Sequence, residues 1–83
     1  MNTNPSNNLI PLNTIKLGSS CTVNLLTADG MIRRRFLDLG LINGTEVTAL
    51  TKSPSGDPVA YLIRGAVIAL RSEDASKILV EAI

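Results

Sequence analysis

Two glycines, Gly40 and Gly44, separate a helical pattern from a strand pattern, and this division constrains the fold more than any other feature of the chain. Upstream of them Ile32, Phe36 and Leu39 recur at i, i+4 and i+7, which places them on one helix face with Leu37 at its margin. That face needs a cover. Gly40 follows the last periodic residue and suits the left-handed conformation that ends helices, and Leu41 just beyond it is placed to fold back on Phe36 as a Schellman contact. Asn43-Gly44 then turns the chain into Thr45, Val47 and Leu50, the β-branched and apolar residues of an emerging strand.

Size limits what such a helix packs against. A chain of 83 residues forms one domain and buries only about 60 to 65% of its unfolded surface, which suits a small barrel or sandwich. Hydrophobic residues at 45% and charged ones at 18% give a balance that folds without a partner. A formal net charge of +1 argues against the strongly basic surface of sequence-independent nucleic-acid binding. One cysteine, Cys21, excludes an internal disulfide, and without histidine the usual zinc constellations are out of reach, so a reduced, intracellular setting fits. Residues 1–11 read as a flexible tail that lacks the basic region and apolar core of a secretory signal, and residues 12–83 as the domain. The longest apolar runs, Val59 to Ile63 and Ala66 to Leu70, are far short of the ~20 residues that span a bilayer as a helix, so a soluble protein is expected.

Taken in order, Leu9 to Leu12 and Ile15 to Gly18 alternate apolar anchors with turn formers and read as a lead-in that packs on the domain. In Ser20 to Leu26, Cys21, Val23 and Leu25 alternate with polar Ser20, Thr22 and Asn24, the pattern of a half-buried strand with the thiol inward. Asp29 is the expected helix N-cap. Arg33, Arg34 and Arg35 step by about 100° each around the helix, so at least one must lean along the body, and Arg34 and Asp38 are spaced to pair. A second strand, Glu46 to Leu50, is followed by the turn-rich Ser53-Pro54-Ser55-Gly56-Asp57-Pro58, read as turn chemistry or as a binding loop. Val59 to Ile63 and Ala66 to Leu70 are joined by the tight turn Arg64-Gly65, and the unbroken apolarity of Val67 to Leu70 predicts a strand covered on both faces at the centre of the core. Ser72 to Lys77 reads as one helical turn capped by Ser72, and Ile78 to Ile83 as the last strand. The expected architecture is mainly β: a small, partly open barrel of about five strands, one short α-helix between strands 1 and 2, and a helical turn before the last strand.

Arg34-Arg35-Phe36-Leu37-Asp38-Leu39-Gly40-Leu41, then Gly44-Thr45-Glu46-Val47, resembles the signature of FeoA-type ferrous iron transport accessory proteins. Gly56-Asp57-Pro58, Arg64-Gly65, Ala69-Leu70-Arg71 and Ile78-Leu79-Val80 continue that pattern in the same order, with Asn43 standing where many members carry proline. The resemblance runs from about Leu12 to Ile83. It implies an SH3-like barrel with Gly40, Gly44, Gly56, Asp57, Pro58 and Gly65 as structural signature residues. It also implies a cytoplasmic role in bacterial iron homeostasis, as an accessory to the membrane ferrous iron transporter FeoB with its GTP-binding domain, peripheral to the inner membrane when bound.

The chemistry an enzyme needs is not visible: no histidine, no Gly-rich phosphate loop with a lysine, no HExxH, and no base beside Cys21. The carboxylates Asp29, Asp38, Glu46, Asp57, Glu73, Asp74 and Glu81 are scattered over caps, turns and strand edges, so neither a metal site nor a cofactor is expected. That leaves an interaction module acting by protein–protein contact with the transporter. The alternative is an SH3-like regulatory or RNA- or DNA-associated module like the domain that ends iron-dependent repressors. Only Phe36 and Tyr61 are aromatic, so a base-stacking platform is nearly absent and no nucleic acid is expected. Self-association is left open. The expected partner surface is the exposed side of the helix, with Arg33, Arg34 and Asp38 beside the apolar rim at Leu37; a solvated face with buried arginine stems is the other reading of the same residues.

Overall fold

The computed structural model describes residues 9–83. Six strands form one antiparallel sheet: β1 (Leu9–Pro11), β2 (Ser20–Leu26), β3 (Glu46–Lys52), β4 (Val59–Ile63), β5 (Ala66–Leu70) and β6 (Ile78–Ala82), in the order β1-β6-β2-β3-β4-β5. Helix α1 (Gly30–Asp38) links β2 to β3, the single turn α2 (Ser72–Ala75) links β5 to β6, and a 3₁₀ turn at Leu12–Thr14 follows β1. The strand count therefore exceeds the expected five by β1, whose Leu9, Ile10 and Pro11 pair with Glu81, Val80 and Leu79. A three-residue strand containing proline shows no period in sequence, so this part of the expected tail reads as lead-in until the ladder is seen. The rest of that stretch, 1–8, lies outside the described residues.

One core fills the curved sheet. Leu12, Cys21, Phe36, Leu41, Val47, Ile63, Ile78 and Val80 are fully buried, with Val23, Ala49, Tyr61 and Leu70 nearly so. Phe36 is the one buried residue of α1, Leu39 packs at the core's edge, and Ile32 on the same face stays 38% exposed. The expected helix stop is formed in full. Leu39 is the C-cap, Gly40 takes φ +92°, its N–H donates to Leu37 O at 3.0 Å and the Leu41 N–H donates to Phe36 O at 3.0 Å, the paired bonds of a Schellman motif. Leu41 and Phe36 are both buried, which supplies the hydrophobic contact of that motif. The Thr45 hydroxyl then donates to Gly40 O at 2.8 Å, holding the turn against the start of β3.

Four sequence expectations are corrected. β5 is an edge strand with only Leu70 buried and Val67 66% exposed, so it is not the doubly covered centre of the core. Asp29 occupies the N-cap position of α1 without a side-chain bond, and Gly30 enters the helix at φ +62°. Ser72 is the first residue of α2, with Arg71 at the cap, and its N–H donates to Asp57 Oδ1 at 2.8 Å. Asp57 thus caps α2 from a loop 15 residues upstream. The fourth concerns Leu25 and depends on an irregularity in β2.

Candidate partner-binding site

β2 pairs with β6 as Val23↔Val80 and then Leu25↔Leu79, so Asn24 is an extra residue on one side of the ladder. A one-residue bulge reverses the inward–outward alternation. Cys21 and Val23 face the core as expected, but beyond the bulge Leu26 turns inward and Leu25 outward, leaving Leu25 50% exposed. The turn after α1 is tied to the same bulge: Val23 N–H donates to Thr45 O and Gly44 N–H to Val23 O, both at 2.8 Å, and Asn43 Nδ2 donates to Asn24 O at 2.9 Å. Asn43 therefore satisfies the carbonyl that the bulge displaces, a bond that proline at this position could not make.

Helix α1 forms the facing wall. Arg33 leans along the body, as one of the three arginines had to, and its Nη1 donates to Leu26 O at 3.4 Å. Between α1 and the bulge lies a cavity of about 160 Å³, floored by Leu41 and rimmed by Leu25, Leu37 and Ile42, with Arg33 and Asn43 also on its lining. Its rim leucines and isoleucine are about half exposed. Three aliphatic side chains open to solvent around a fully buried floor, with one guanidinium beside them, is the composition of an interface centre with a polar rim.

Of the expected partner residues, Arg33 and Leu37 line this groove. Arg34 faces away from it, beside Gly30 and the 87% exposed Met31, and Asp38 is not on its lining. Arg34 and Asp38 make no ion pair among the described residues. Leu25, Ile42 and Asn43 were missed. Nothing local in the sequence marks the bulge, and Ile42 reads only as the residue before a turn.

The signature residues divide between the groove and the opposite loop. Gly40 and Gly44 shape the turn behind the groove, and the Arg64 side chain packs over Gly40. Arg64 and Gly65 both take positive φ, +51° and +85°, in the two-residue turn between β4 and β5. Gly56, Asp57 and Pro58 belong to a self-bonded loop in which Ser53 N–H donates to Pro58 O and Gly56 N–H to Ser53 O. With Asp57 committed to Ser72, that loop's turn chemistry accounts for its composition.

Cys21 lies apart from the groove. Burial, reinforced by the Glu46 carboxylate, pushes its thiol up to about 11, and it donates a long 3.5 Å bond to Val47 O. A thiol so held is a core hydrophobe without nucleophilic character at neutral pH. Among the described residues no group of three or more His, Cys, Asp or Glu side chains is placed to hold a metal ion.

Comparison with known proteins agrees with this architecture. A curated relative from Porphyromonas gingivalis, an Fe(2+) transport protein A/Fe(2+) transporter FeoB fusion protein, is 35% identical over 72 residues, which is 87% of this chain and 8% of that one. The chain therefore spans less than a tenth of the relative it matches. The solution structure of a FeoA-like protein from Clostridium acetobutylicum superposes with a TM-score of 0.84 at 36% identity, covering 92% of this chain and 88% of that one. The zinc complex of Stenotrophomonas maltophilia FeoA, an SH3 domain protein, gives a TM-score of 0.76 at 30% identity over 84% and 87% of the two chains. At the level of fold alone, a manganese-dependent transcriptional repressor matches 90% of this chain with 42% of its own, at 22% identity and a TM-score of 0.79. The FeoA domain model matches residues 10–82, from within β1 to the end of β6 and across every signature residue, so the chain belongs to the FeoA domain family and has its SH3-like fold.

Proposed function

We propose that this protein is a non-enzymatic accessory module of ferrous iron uptake that binds the cytoplasmic part of a FeoB-type membrane transporter through the groove between α1 and β2. The observation that carries this reading is the fusion in Porphyromonas gingivalis, where a domain 35% identical to this one shares a polypeptide with FeoB. Covalent linkage fixes two domains at high effective concentration, an arrangement of use to domains that act on one another. FeoA is not a known enzyme family. No helix of the described residues is long and apolar enough to cross a membrane. In this reading the module sits in the cytoplasm and is peripheral to the inner membrane when bound to its partner.

The groove supplies what such contact needs. Leu25, Leu37 and Ile42 offer apolar area for an aliphatic or aromatic anchor. Arg33, with one nitrogen held by Leu26 O, keeps its other N–H groups for an acidic group at the rim. The test is titration of the transporter's cytoplasmic domain with wild type, Leu37→Asp and Arg34→Glu. Leu37→Asp should weaken binding at least about tenfold with a near-normal urea curve, since Leu37 is partly exposed. Arg34→Glu, outside the groove, should alter mainly the association rate and its salt dependence. Unchanged affinity for Leu37→Asp would remove the groove from the interface, and absence of wild-type binding would remove the transporter as partner.

A further inference from the structure

β5 ends the sheet and carries none of the features that usually protect an edge, such as charge, proline or a bulge. The opposite edge, β1, is three residues long and includes Pro11, which has no N–H to offer. Along β5, Ala66-Val67-Ile68-Ala69-Leu70 is uncharged and pairs with β4 in unbroken register, and Ala66, Val67 and Ala69 are exposed.

The register identifies the free backbone groups. The two-residue turn at Arg64-Gly65 makes Ile63 and Ala66 the first hydrogen-bonded pair, so bonded pairs recur at Tyr61–Ile68 and Val59–Leu70. The N–H and C=O groups of Val67 and Ala69 therefore point away from β4, and no turn, loop or cap bond takes them up among the described residues. On the outer face Val67 stands opposite the partly exposed Leu62, with Ala60 opposite Ala69 beside them, an apolar strip continuous with the open edge.

We infer that β5 pairs with β5 of a second copy of this chain, antiparallel about a two-fold axis at Ile68. The segment is its own complement. The axis sets Val67 opposite Ala69 of the second copy and Ala69 opposite Val67 of the second copy, so the outward groups of the two strands satisfy one another in two bonded pairs. A larger side chain meets a smaller one at each pair, and the two Ile68 residues meet between them. The hairpin turn at Arg64-Gly65 and the helical turn from Ser72 bound the strand, so the pairing is confined to Ala66–Leu70 and sets Ala66 of each copy opposite Leu70 of the other at its ends. A formal net charge of +1 leaves little long-range repulsion between copies. Five residues of edge bury far less than the roughly 1,200 Å² of a standard interface, so the dimer is weak and concentration-dependent.

The experiment is sedimentation of the full chain from about 10 µM to about 1 mM, with amide hydrogen exchange read by NMR across the same range. The mean mass should rise toward that of a dimer, and the Val67 and Ala69 amides should slow in exchange as concentration rises. Ala69→Pro removes an outward donor while sparing the bonds to β4. It should keep a urea midpoint near that of wild type and raise the dissociation constant at least about tenfold. Val67→Lys, which puts charge on the edge, should do the same and decides the matter if the proline variant does not fold. A wild-type chain that stays monomeric at the highest concentration overturns the inference, as does a dimer that neither variant weakens. Amides that respond only to the transporter's cytoplasmic domain would give this edge to a strand of that partner and equally overturn the two-fold pairing.

Discussion

Replacing Gly40 tests whether the helix stop, on which both the fold and the groove depend, is held by backbone conformation or by packing. Gly40 has φ +92°, and an added Cβ would fall on Arg64 Cδ and lie 3.2 Å from Arg64 Cγ and Nε. Arg64 is exposed, and the far part of its side chain can swing aside, so the contact adds little. The dihedral remains. A Cβ in the left-handed region costs about 1 to 2 kcal/mol, and β-branching raises that further. For a domain of this size 1 kcal/mol corresponds to about 4 to 8 °C, so Gly40→Ala should lower Tm by about 4 to 16 °C and Gly40→Val by more.

Two controls separate the causes. Gly44 has φ +95° with open space where its Cβ would go, so Gly44→Ala should cost about as much as Gly40→Ala if the dihedral dominates. Arg64→Ala in the Gly40→Ala background should recover little. Urea and thermal unfolding followed by far-UV circular dichroism give the comparison. An unchanged urea midpoint for Gly40→Val would refute the conformational argument, and full recovery in the double variant would transfer the cost to the Arg64 contact.

Asp57→Ala removes the acceptor of the Ser72 N–H and should lower stability by about 0.5 to 2 kcal/mol in urea, with Asp57→Asn losing less; equal stability of all three would deny the cap. Burial, with Cys21 and Asp57 adding to it, pushes the Tyr61 phenol up to about 12, and burial raises Cys21 to about 11, so each group holds its proton more tightly folded than unfolded. The contribution of these two groups should therefore be fully present below pH 9.0 and fall with rising pH, through the thiol between 9.0 and about 11 and the phenol between 10.0 and about 12, and Cys21→Ala should remove the earlier part of the fall. A urea midpoint that rises or stays level across that window would mean that these groups are not buried neutral. Thermal unfolding in chelator should match unfolding with ferrous iron or zinc added, because no metal-ligating cluster exists among the described residues; a rise of more than about 5 °C would reveal a missed site.

Where local chemistry decides, the fold was legible. Gly40, Leu41 and Phe36 announce a Schellman stop, Asn43-Gly44 a turn and Arg64-Gly65 a tight hairpin, and each forms as read. Where the outcome depends on a distant partner, it was not. Val67 to Leu70 is apolar at every position, and that pattern is the same whether a strand is covered on both faces or lies at an edge with an apolar outer side. Only the sheet order tells the two apart. The cap on Ser72 comes from Asp57, far upstream, and no local pattern around the Ser72 hydroxyl signals a partner 15 residues away.

The groove was half legible for a related reason. Arg33 and Leu37 follow from helix geometry alone, since a short helix laid on a small barrel must expose its outer side. Leu25 and Ile42 join them only because Asn24 is inserted into the β2–β6 ladder, and the bond that secures that insertion comes from Asn43, 19 residues away. Without the bulge, strict alternation would bury Leu25 and expose Leu26, and the outward leucine would sit one position further along β2. A strand shaped for burial alone would keep the alternation unbroken. The departure leaves an aliphatic residue half exposed and opens a cavity against a helix tethered by Arg33 to Leu26 O. The bulge buries Leu26 and in exchange leaves Leu25 half exposed opposite Leu37, which is the apolar area that the proposed partner site between α1 and β2 would use.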